Sequence, residues 1–236
     1  MRNRLSKLRS LMNQRHLDAV LVSSVPNITY LTNFSHFSKD EREAFLFITM
    51  DKQYILTDGR YSEAVENKVK DFSLIKISPK ITFEKALKDL VKKHNIKLVG
   101  FDHHNITVAE HKKLSLVFKT IKHFSIDNLR IIKDKNEISA IEKACAFGDK
   151  TFKHVLTCIN AGVTEKQLAF EIEFFIKKNG ADISFPPIVA FGKNSAVPHH
   201  GPTQNTKLRT KNIVLLDFGV RLNNYCSDMT RTVFFG

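Results

Sequence analysis

The chain has 236 residues, of which 42% are hydrophobic and 26% charged, and its formal net charge is +13. This length suits one large or two modest domains. No apolar run approaches the roughly 18 residues of a membrane span. The short apolar stretch 19–22 lacks both the length and the cleavage site of a signal peptide. We therefore expect a cytoplasmic protein without a membrane segment.

The positive charge by itself does not predict nucleic-acid binding. The lysines are spread along the chain instead of forming one block, and no recognised nucleic-acid motif accompanies them. The cysteines Cys145, Cys158 and Cys226 are odd in number and widely spaced, which favours neither a disulfide framework nor a zinc knuckle. We expect three buried, reduced thiols.

The first part of the chain alternates helical and strand-like patterns. Leu5, Leu8, Leu11 and Met12 recur at helical spacing, and a second helical pattern covers 83–94. Short apolar runs typical of strands lie at 18–23, 44–49, 53–57 and 97–101. This alternation predicts an α/β domain over residues 1–125.

The second part, residues 126–236, begins with two helical patterns and continues with strands. Asn136 is the expected N-cap of the first helix, and Gly162 ends it. Thr164 and Gln167 form a capping box for the second helix, which Gly180 closes. Strand-like runs then follow at 188–191, 213–220 and 225–235. This order predicts an α+β domain.

Two aspartates carry the strongest chemical signal. Asp217 ends an apolar strand, and Asp228 lies in the next one. A hairpin centred between Leu222 and Asn223 would make the two carboxylates direct cross-strand neighbours, about 4.5–5.5 Å apart at Cβ. Facing carboxylates need a proton, a basic side chain or a cation between them. The spacing leaves two alternatives open: a divalent metal pair, or one aspartate in the turn network and the other paired with Arg231.

A second signal is the loop sequence Pro198-His199-His200-Gly201-Pro202, preceded by Gly192-Lys193-Asn194-Ser195. Adjacent histidines between prolines can bind a metal or donate hydrogen bonds to a substrate. Such a pair is also often incidental, and the residues alone do not decide between these roles.

Three ordered segments resemble one family. They are Asn194-Ser195-Ala196-Val197-Pro198-His199-His200-Gly201-Pro202-Thr203, Leu216-Asp217-Phe218-Gly219 and Tyr225-Cys226-Ser227-Asp228-Met229-Thr230-Arg231-Thr232. Together they resemble the aminopeptidase P and prolidase family of Xaa-Pro peptidases. The earlier segments 27–34, 56–61 and 130–144 are similar to the N-terminal domain of that family and to its junction with the catalytic helices. The resemblance implies an α/β creatinase-type N-terminal domain, followed by the first part of an α+β "pita-bread" catalytic domain.

The resemblance also implies a hydrolase with a site for two divalent metal ions, manganese first, with cobalt or zinc as alternatives. Asp217 and Asp228 match two of the five metal-binding side chains of the family. His199 matches the histidine that lines the substrate pocket and helps to stabilise the transition state, whereas His200 occupies a variable position. The implied partners are a proline-containing peptide substrate and a second copy of the chain, bound through the N-terminal domain. Both aspartates argue against a metal-free, creatinase-like activity.

The chain departs from the family pattern at its end. The metal-binding histidine and two glutamates of the family follow the second aspartate motif, and this sequence stops at Gly236, directly after that motif. We expect the chain to be incomplete and weakly active or inactive by itself. The alternative is a non-catalytic dimerisation or binding fragment of the same fold. Neither the residue preferred before proline nor the choice between aminopeptidase and dipeptidase follows from the sequence.

Overall fold

A computed structural model describes residues 2–38 and 40–236 as two compact units, 1–132 and 133–236. The helices of the first unit are α1 (Arg2–Gln14), α2 (Val25–Thr32), α3 (Gly59–Lys68), α4 (Phe83–Lys93), α5 (Val108–Ser115) and α6 (Asn128–Ile131). Its strands are β1 (Ala19–Val22), β2 (Ala44–Thr49), β3 (Gln53–Asp58), β4 (Ser73–Ile77), β5 (Leu98–Phe101) and β6 (Thr120–His123).

The first unit is a six-stranded mixed sheet in the order β4-β3-β2-β1-β5-β6. Alternate residues of β1 face two separate cores. Val20 and Val22 pack in one core with Leu8 of α1, and Leu21 packs in the other with Leu87 of α4. Because both faces of the sheet are covered, the central residues of its inner strands are apolar, as the sequence predicts for buried strands. The expected α/β domain is confirmed.

The first unit ends later than the predicted boundary at residue 125. The Ser125 hydroxyl donates to an Asp102 carboxylate oxygen at 2.8 Å, and Ile126 is buried in the core that holds α1. The Asn27 amide donates to Asp127 at 2.9 Å. These contacts attach the segment up to α6 to the N-terminal unit, which composition alone does not reveal.

The second unit holds two α-helices, a short 3-10 helix (Gly192–Ala196) and two three-stranded sheets. The helices are α7 (Lys135–Cys158) and α8 (Glu165–Lys178). The strands are β7 (Asp182–Ile183), β8 (Ile188–Phe191), β9 (Asn212–Phe218), β10 (Val220–Leu222), β11 (Tyr225–Cys226) and β12 (Met229–Phe235), in the sheet orders β11-β10-β7 and β12-β9-β8. Val214, Leu216 and Phe218 of β9 point into a core that includes Ile172 of α8. Two helices followed by strands confirm the predicted α+β character.

The expected N-cap of α7 is wrong by two residues. Asp134 caps this helix, because its carboxylate accepts the backbone N–H groups of Asn136 and Glu137 at 2.9 and 3.0 Å. The Asp134 backbone N–H in turn donates to the Glu137 carboxylate at 2.9 Å, which completes a capping box. Asn136 has no such reciprocal partner in the sequence. The capping box of Thr164 and Gln167 on α8 is confirmed.

The prediction of buried thiols is wrong. Cys145 and Cys226 are exposed, and Cys158 is half-buried at the end of α7. Small apolar residues at helical spacing do not fix which side of a long helix faces the core, and Cys145 lies beside, not on, the buried stripe of α7. Within residues 2–38 and 40–236, no helix is long and apolar enough to cross a membrane.

We predict that limited trypsin digestion cuts first after Lys133 or Lys135. Ile132 and Lys133 are exposed between α6 and the capped start of α7, whereas the segment before them is bound to the N-terminal unit. A stable fragment ending near residue 133 should accumulate, visible by mass spectrometry. Early cuts within 19–101, or rapid loss of the fragment, would contradict the assignment of two units.

Candidate functional site

The chain between the two aspartates reverses at a two-residue turn, Asn223-Asn224, which joins β10 to β11. Both asparagines have positive φ angles, 50° and 69°, and Leu222 pairs with Tyr225 across the turn. Asparagine tolerates this left-handed region, whereas leucine does not, so the turn centres on the asparagine pair and not between Leu222 and Asn223. The residue opposite each position of β9 therefore lies two residues further along the chain than the sequence predicts.

Asp217 therefore faces Thr230, and the prediction that it faces Asp228 is wrong. Asp228 precedes Thr230 by two residues and lies between β11 and β12. Because Asp228 lies just outside the β9–β12 ladder, the two aspartates are not the directly facing pair, about 4.5–5.5 Å apart, that the sequence predicts. Asp217 is in the central strand of its sheet, between Ile188 of β8 and Thr230 of β12.

Both carboxylates are free to accept further ligands. Asp217 is half-buried on the face of β9 opposite the core residues Leu216 and Phe218, and Asp228 is exposed. In the part of the chain that the structure describes, neither carboxylate takes part in a hydrogen bond or an ion pair. The Arg231 guanidinium donates instead to the backbone carbonyl of Thr230 at 2.9 Å. The alternative in which Arg231 neutralises one aspartate is not observed.

The donor set fits a divalent cation. Carboxylate oxygens are hard ligands, which suit magnesium, calcium and manganese and serve zinc as well. Two unpaired carboxylates on adjoining segments of one hairpin repel each other, and a dication would remove that repulsion. Further ligands would still be needed, since two carboxylates fill only part of a coordination shell.

The loop with the two histidines is organised by a buried glutamate. Glu165 is the first residue of α8, and its side chain is fully buried. One carboxylate oxygen accepts from the Phe191 backbone N–H at 2.9 Å and from the Asn194 amide at 2.9 Å. The other lies 2.9 Å from His200 Nε2 and accepts the backbone N–H and hydroxyl of Thr203, both at 3.1 Å. One side chain thus connects α8, β8 and both ends of the loop.

These bonds keep Glu165 ionised. Burial by itself would raise the pKa of the carboxyl, but the hydrogen bonds from His200, Asn194 and the backbone outweigh it and lower the pKa below its usual 4.5. The position at the start of a helix helps in the same direction, because the positive end of the helix dipole favours an anion.

His199 is left exposed beside this network. It has a positive φ of 55°, in the turn that follows Val197. His200, the next residue, points inward to Glu165 with only 13% of its side chain exposed. Adjacent residues in such a turn point apart, so fixing His200 inward presents His199 to the surface. The structure thus gives the two histidines different roles, one structural and one accessible.

Sequence reasoning missed Glu165. In the sequence it is an acidic residue directly after a capping threonine. Acidic residues are common there because they interact favourably with the helix dipole, so the position does not stand out. A signal did exist: Asn194, His200 and Thr203 are donors clustered in one predicted loop, and such a group needs a common acceptor. The spacing does not say which distant carboxylate supplies it.

We predict that Glu165→Gln destabilises the second unit by about 1–3 kcal/mol, because an amide has one oxygen for five donors and sets its own N–H groups against them. Glu173→Gln on the same helix is the control, since its pair with Lys177 lies at the surface, where such a pair contributes little to stability. Urea unfolding measures both.

The pH dependence gives a second check on Glu165. Because the folded pKa is lowered, the stabilisation is complete above about pH 4.5 and is lost as the pH falls through the lower folded value. The stability difference between the wild type and Glu165→Gln should shrink over that acidic range. A difference that stays constant, or that equals the Glu173→Gln effect at pH 7, would contradict the assigned role.

Comparison with known proteins gives matches over almost the whole chain. A model of the Creatinase/Prolidase N-terminal domain matches residues 4–132, and a model of metallopeptidase family M24 matches residues 139–236. An uncharacterized peptidase of Bacillus subtilis, YqhT, is 34% identical over 238 residues, which cover 99% of this chain and 65% of the relative. An Xaa-Pro dipeptidase of Pyrococcus furiosus is 30% identical over 244 residues, covering 100% of this chain and 66% of the relative.

Solved structures agree with these matches. An Xaa-Pro dipeptidase from Bacillus anthracis superposes with a TM-score of 0.87 at 28% identity, covering 98% of this chain and 64% of that one. The chain therefore spans about two thirds of the length of the relatives it matches. Its first unit has the creatinase-type fold, and its second unit is part of the pita-bread domain. The first family model covers more than half of this chain, and the second covers nearly all the rest. The chain therefore belongs to the Creatinase/Prolidase and M24 metallopeptidase family.

Proposed function

We propose that the protein acts as an Xaa-Pro peptidase, a hydrolase that cleaves the peptide bond next to proline with the help of divalent metal ions. The observation that carries this proposal is the pair Asp217 and Asp228 in the M24 domain, two carboxylates with no hydrogen-bond or ion-pair partner among the described residues. Relatives over the same span include the Xaa-Pro dipeptidase of Pyrococcus furiosus.

Asp217 and Asp228 would hold the metal ions in a dinuclear site, with manganese as the first candidate. Bound divalent ions polarise a carbonyl oxygen and make water a stronger nucleophile. The oxygen-only contribution of this hairpin favours a hard ion over a thiophilic one. Asp217, fixed in a central strand, would set the position of the site, and the exposed Asp228 would close on the ions from the adjoining segment.

His199 would donate a hydrogen bond to the substrate at the carbonyl that is attacked. Its exposure and its place beside a fixed neighbour support this role. A donor helps catalysis only if it is already oriented before the charge develops. Glu165 would supply that orientation through His200 and Thr203, and is a positioning residue, not a catalytic one.

The 236-residue chain by itself would bind metal weakly and have little or no peptidase activity. Two carboxylates cannot neutralise four positive charges, and water would fill most coordination positions. A homodimer through the N-terminal unit stays a prediction of the family resemblance. A cytoplasmic location stays a prediction from the sequence pattern of the first residues.

We predict that Asp217→Asn and Asp228→Asn each abolish hydrolysis of an Xaa-Pro peptide by a form of the chain extended past Gly236 through the rest of the catalytic domain. Losing a ligand should cost more than the roughly 10–100-fold typical of outer-shell partners. Asp149→Asn is the matched control, because this aspartate is exposed on α7 and its loss changes the net charge by the same amount.

Three results would decide against parts of this proposal. Full activity in either aspartate variant with manganese present would show that these carboxylates are not ligands. Metal-dependent cleavage by the unextended chain, lost on either substitution, would show that it has enough ligands without the extension. An extended form that binds peptide but never cleaves it would favour the non-catalytic alternative.

A further inference from the structure

A second cluster of metal-binding side chains lies between α7 and α8, on elements that hold neither aspartate. His154 and Cys158 are one helical turn apart on α7, and Glu171 projects from α8. One ligand atom from each, His154 Nε2, Cys158 Sγ and a Glu171 carboxylate oxygen, lies within 4.8 Å of the other two. All three residues are half-buried, so the cluster is reachable from solvent.

The geometry of the cluster excludes a nucleophilic triad. A cysteine–histidine–acid triad needs the thiol at one imidazole nitrogen and the carboxylate at the other. Here both meet the same atom, since His154 Nε2 is 2.6 Å from the Glu171 oxygen and 3.9 Å from Cys158 Sγ. Three ligand atoms that converge on one point are instead what a metal ion requires.

The ligand distances are close to those of a tetrahedral zinc site. With bonds of about 2.0–2.3 Å, ligand atoms around zinc stand roughly 3.3–3.8 Å apart. The distance between nitrogen and sulfur, 3.9 Å, is already near this range. The distance between nitrogen and oxygen, 2.6 Å, must lengthen, which a rotation of the partly exposed Glu171 side chain allows.

The imidazole is held in place by its surroundings. The His154 ring stacks on Phe175 with centroids 4.2 Å apart and an angle of 15° between the planes. A stacked ring loses little further freedom when it binds, so the main ordering cost falls on Glu171. Once the thiol has lost its proton to solvent, the thiolate and the carboxylate carry two negative charges. These balance the two positive charges of a zinc ion.

An open pocket of about 470 Å³ adjoins the cluster and is lined by both Cys158 and Glu171. The pocket gives an ion a path to the ligands. It also leaves room for a water molecule as the fourth ligand, as in zinc sites with three protein ligands.

We propose that His154, Cys158 and Glu171 form a zinc site that links α7 to α8, separate from the aspartate hairpin. The mixed nitrogen, sulfur and oxygen set favours zinc over the hard ions that suit Asp217 and Asp228. The ion stabilises the packing of the two helices, because it binds only when both are in place.

Cobalt absorbance tests the site, since a thiolate bound to Co²⁺ gives a charge-transfer band that carboxylate ligands do not. The reduced 236-residue chain is titrated with Co²⁺ alone and then with Zn²⁺. We expect a band that saturates at one equivalent and that zinc abolishes, because zinc binds such sites more tightly than cobalt. Cys158→Ser should remove the band, and Glu171→Gln should weaken cobalt binding by about 10–100-fold or more.

Matched variants identify which cysteine supplies the thiolate ligand. Cys145→Ser removes an exposed thiol on the same helix and should leave the band unchanged. Cys226→Ser and Asp228→Asn should also leave it unchanged, which separates this site from a metal held at the hairpin, where Cys226 is only two residues from Asp228. No band in the wild type, or a band lost in Cys226→Ser and kept in Cys158→Ser, would overturn the proposal.

A measurement on the unmodified chain covers the case in which Cys158→Ser fails to fold. Zinc should slow the alkylation of Cys158 by iodoacetamide at least about tenfold, measured by peptide mass spectrometry. Cys145, in the same digest, serves as the internal reference and should react at an unchanged rate. Equal rates at Cys158 with and without zinc would overturn the proposal.

Discussion

The catalytic-domain portion of the chain depends on the buried carboxylate of Glu165. A fully buried anion is costly unless several donors surround it, and here five donors from three separate segments converge on its two oxygens. The same contacts close the start of α8, where the Lys166 backbone N–H also donates to the Thr203 carbonyl at 3.1 Å. A loop that could otherwise take many conformations is thereby fixed at both ends.

The hairpin that carries the aspartates follows from a different constraint, the left-handed backbone at Asn223 and Asn224. Because both residues adopt positive φ, the turn is two residues long, and the pairing of β9 with β12 follows without a choice of register. Asp217 then lies in the central strand of its sheet, while Asp228 falls between strands. Asp228 is fixed by its neighbours instead, since the Ser227 backbone N–H donates to the Val220 carbonyl at 2.8 Å and Met229 pairs with Phe218.

The sequence predicts the elements well because their signals are local. Apolar periodicity identifies α1, α4 and the inner strands, and the capping box locates the start of α8. Prediction from the sequence fails where a contact with a residue distant in the chain decides the structure, or where two local signals compete. Asp134 displaces Asn136 as the cap because its reciprocal partner Glu137 lies at the right spacing. The cluster of His154, Cys158 and Glu171 depends on the packing of two helices, which no spacing within one helix predicts.

The carboxylates of this unit are of two kinds: the Glu165 side chain is bonded within the protein, and those of Asp217 and Asp228 are open to a ligand. Glu165 has every oxygen satisfied by the protein, so it contributes to folding and offers nothing to a ligand. Asp217 and Asp228, in the part of the chain that the structure describes, have no such partners. Adding a lysine or arginine beside them would relieve their repulsion and stabilise the unfilled hairpin, but it would also compete with any cation. The hairpin with its two carboxylates left unpaired is therefore less stable than it could be, and under the proposed function this lost stability is what a bound cation would restore.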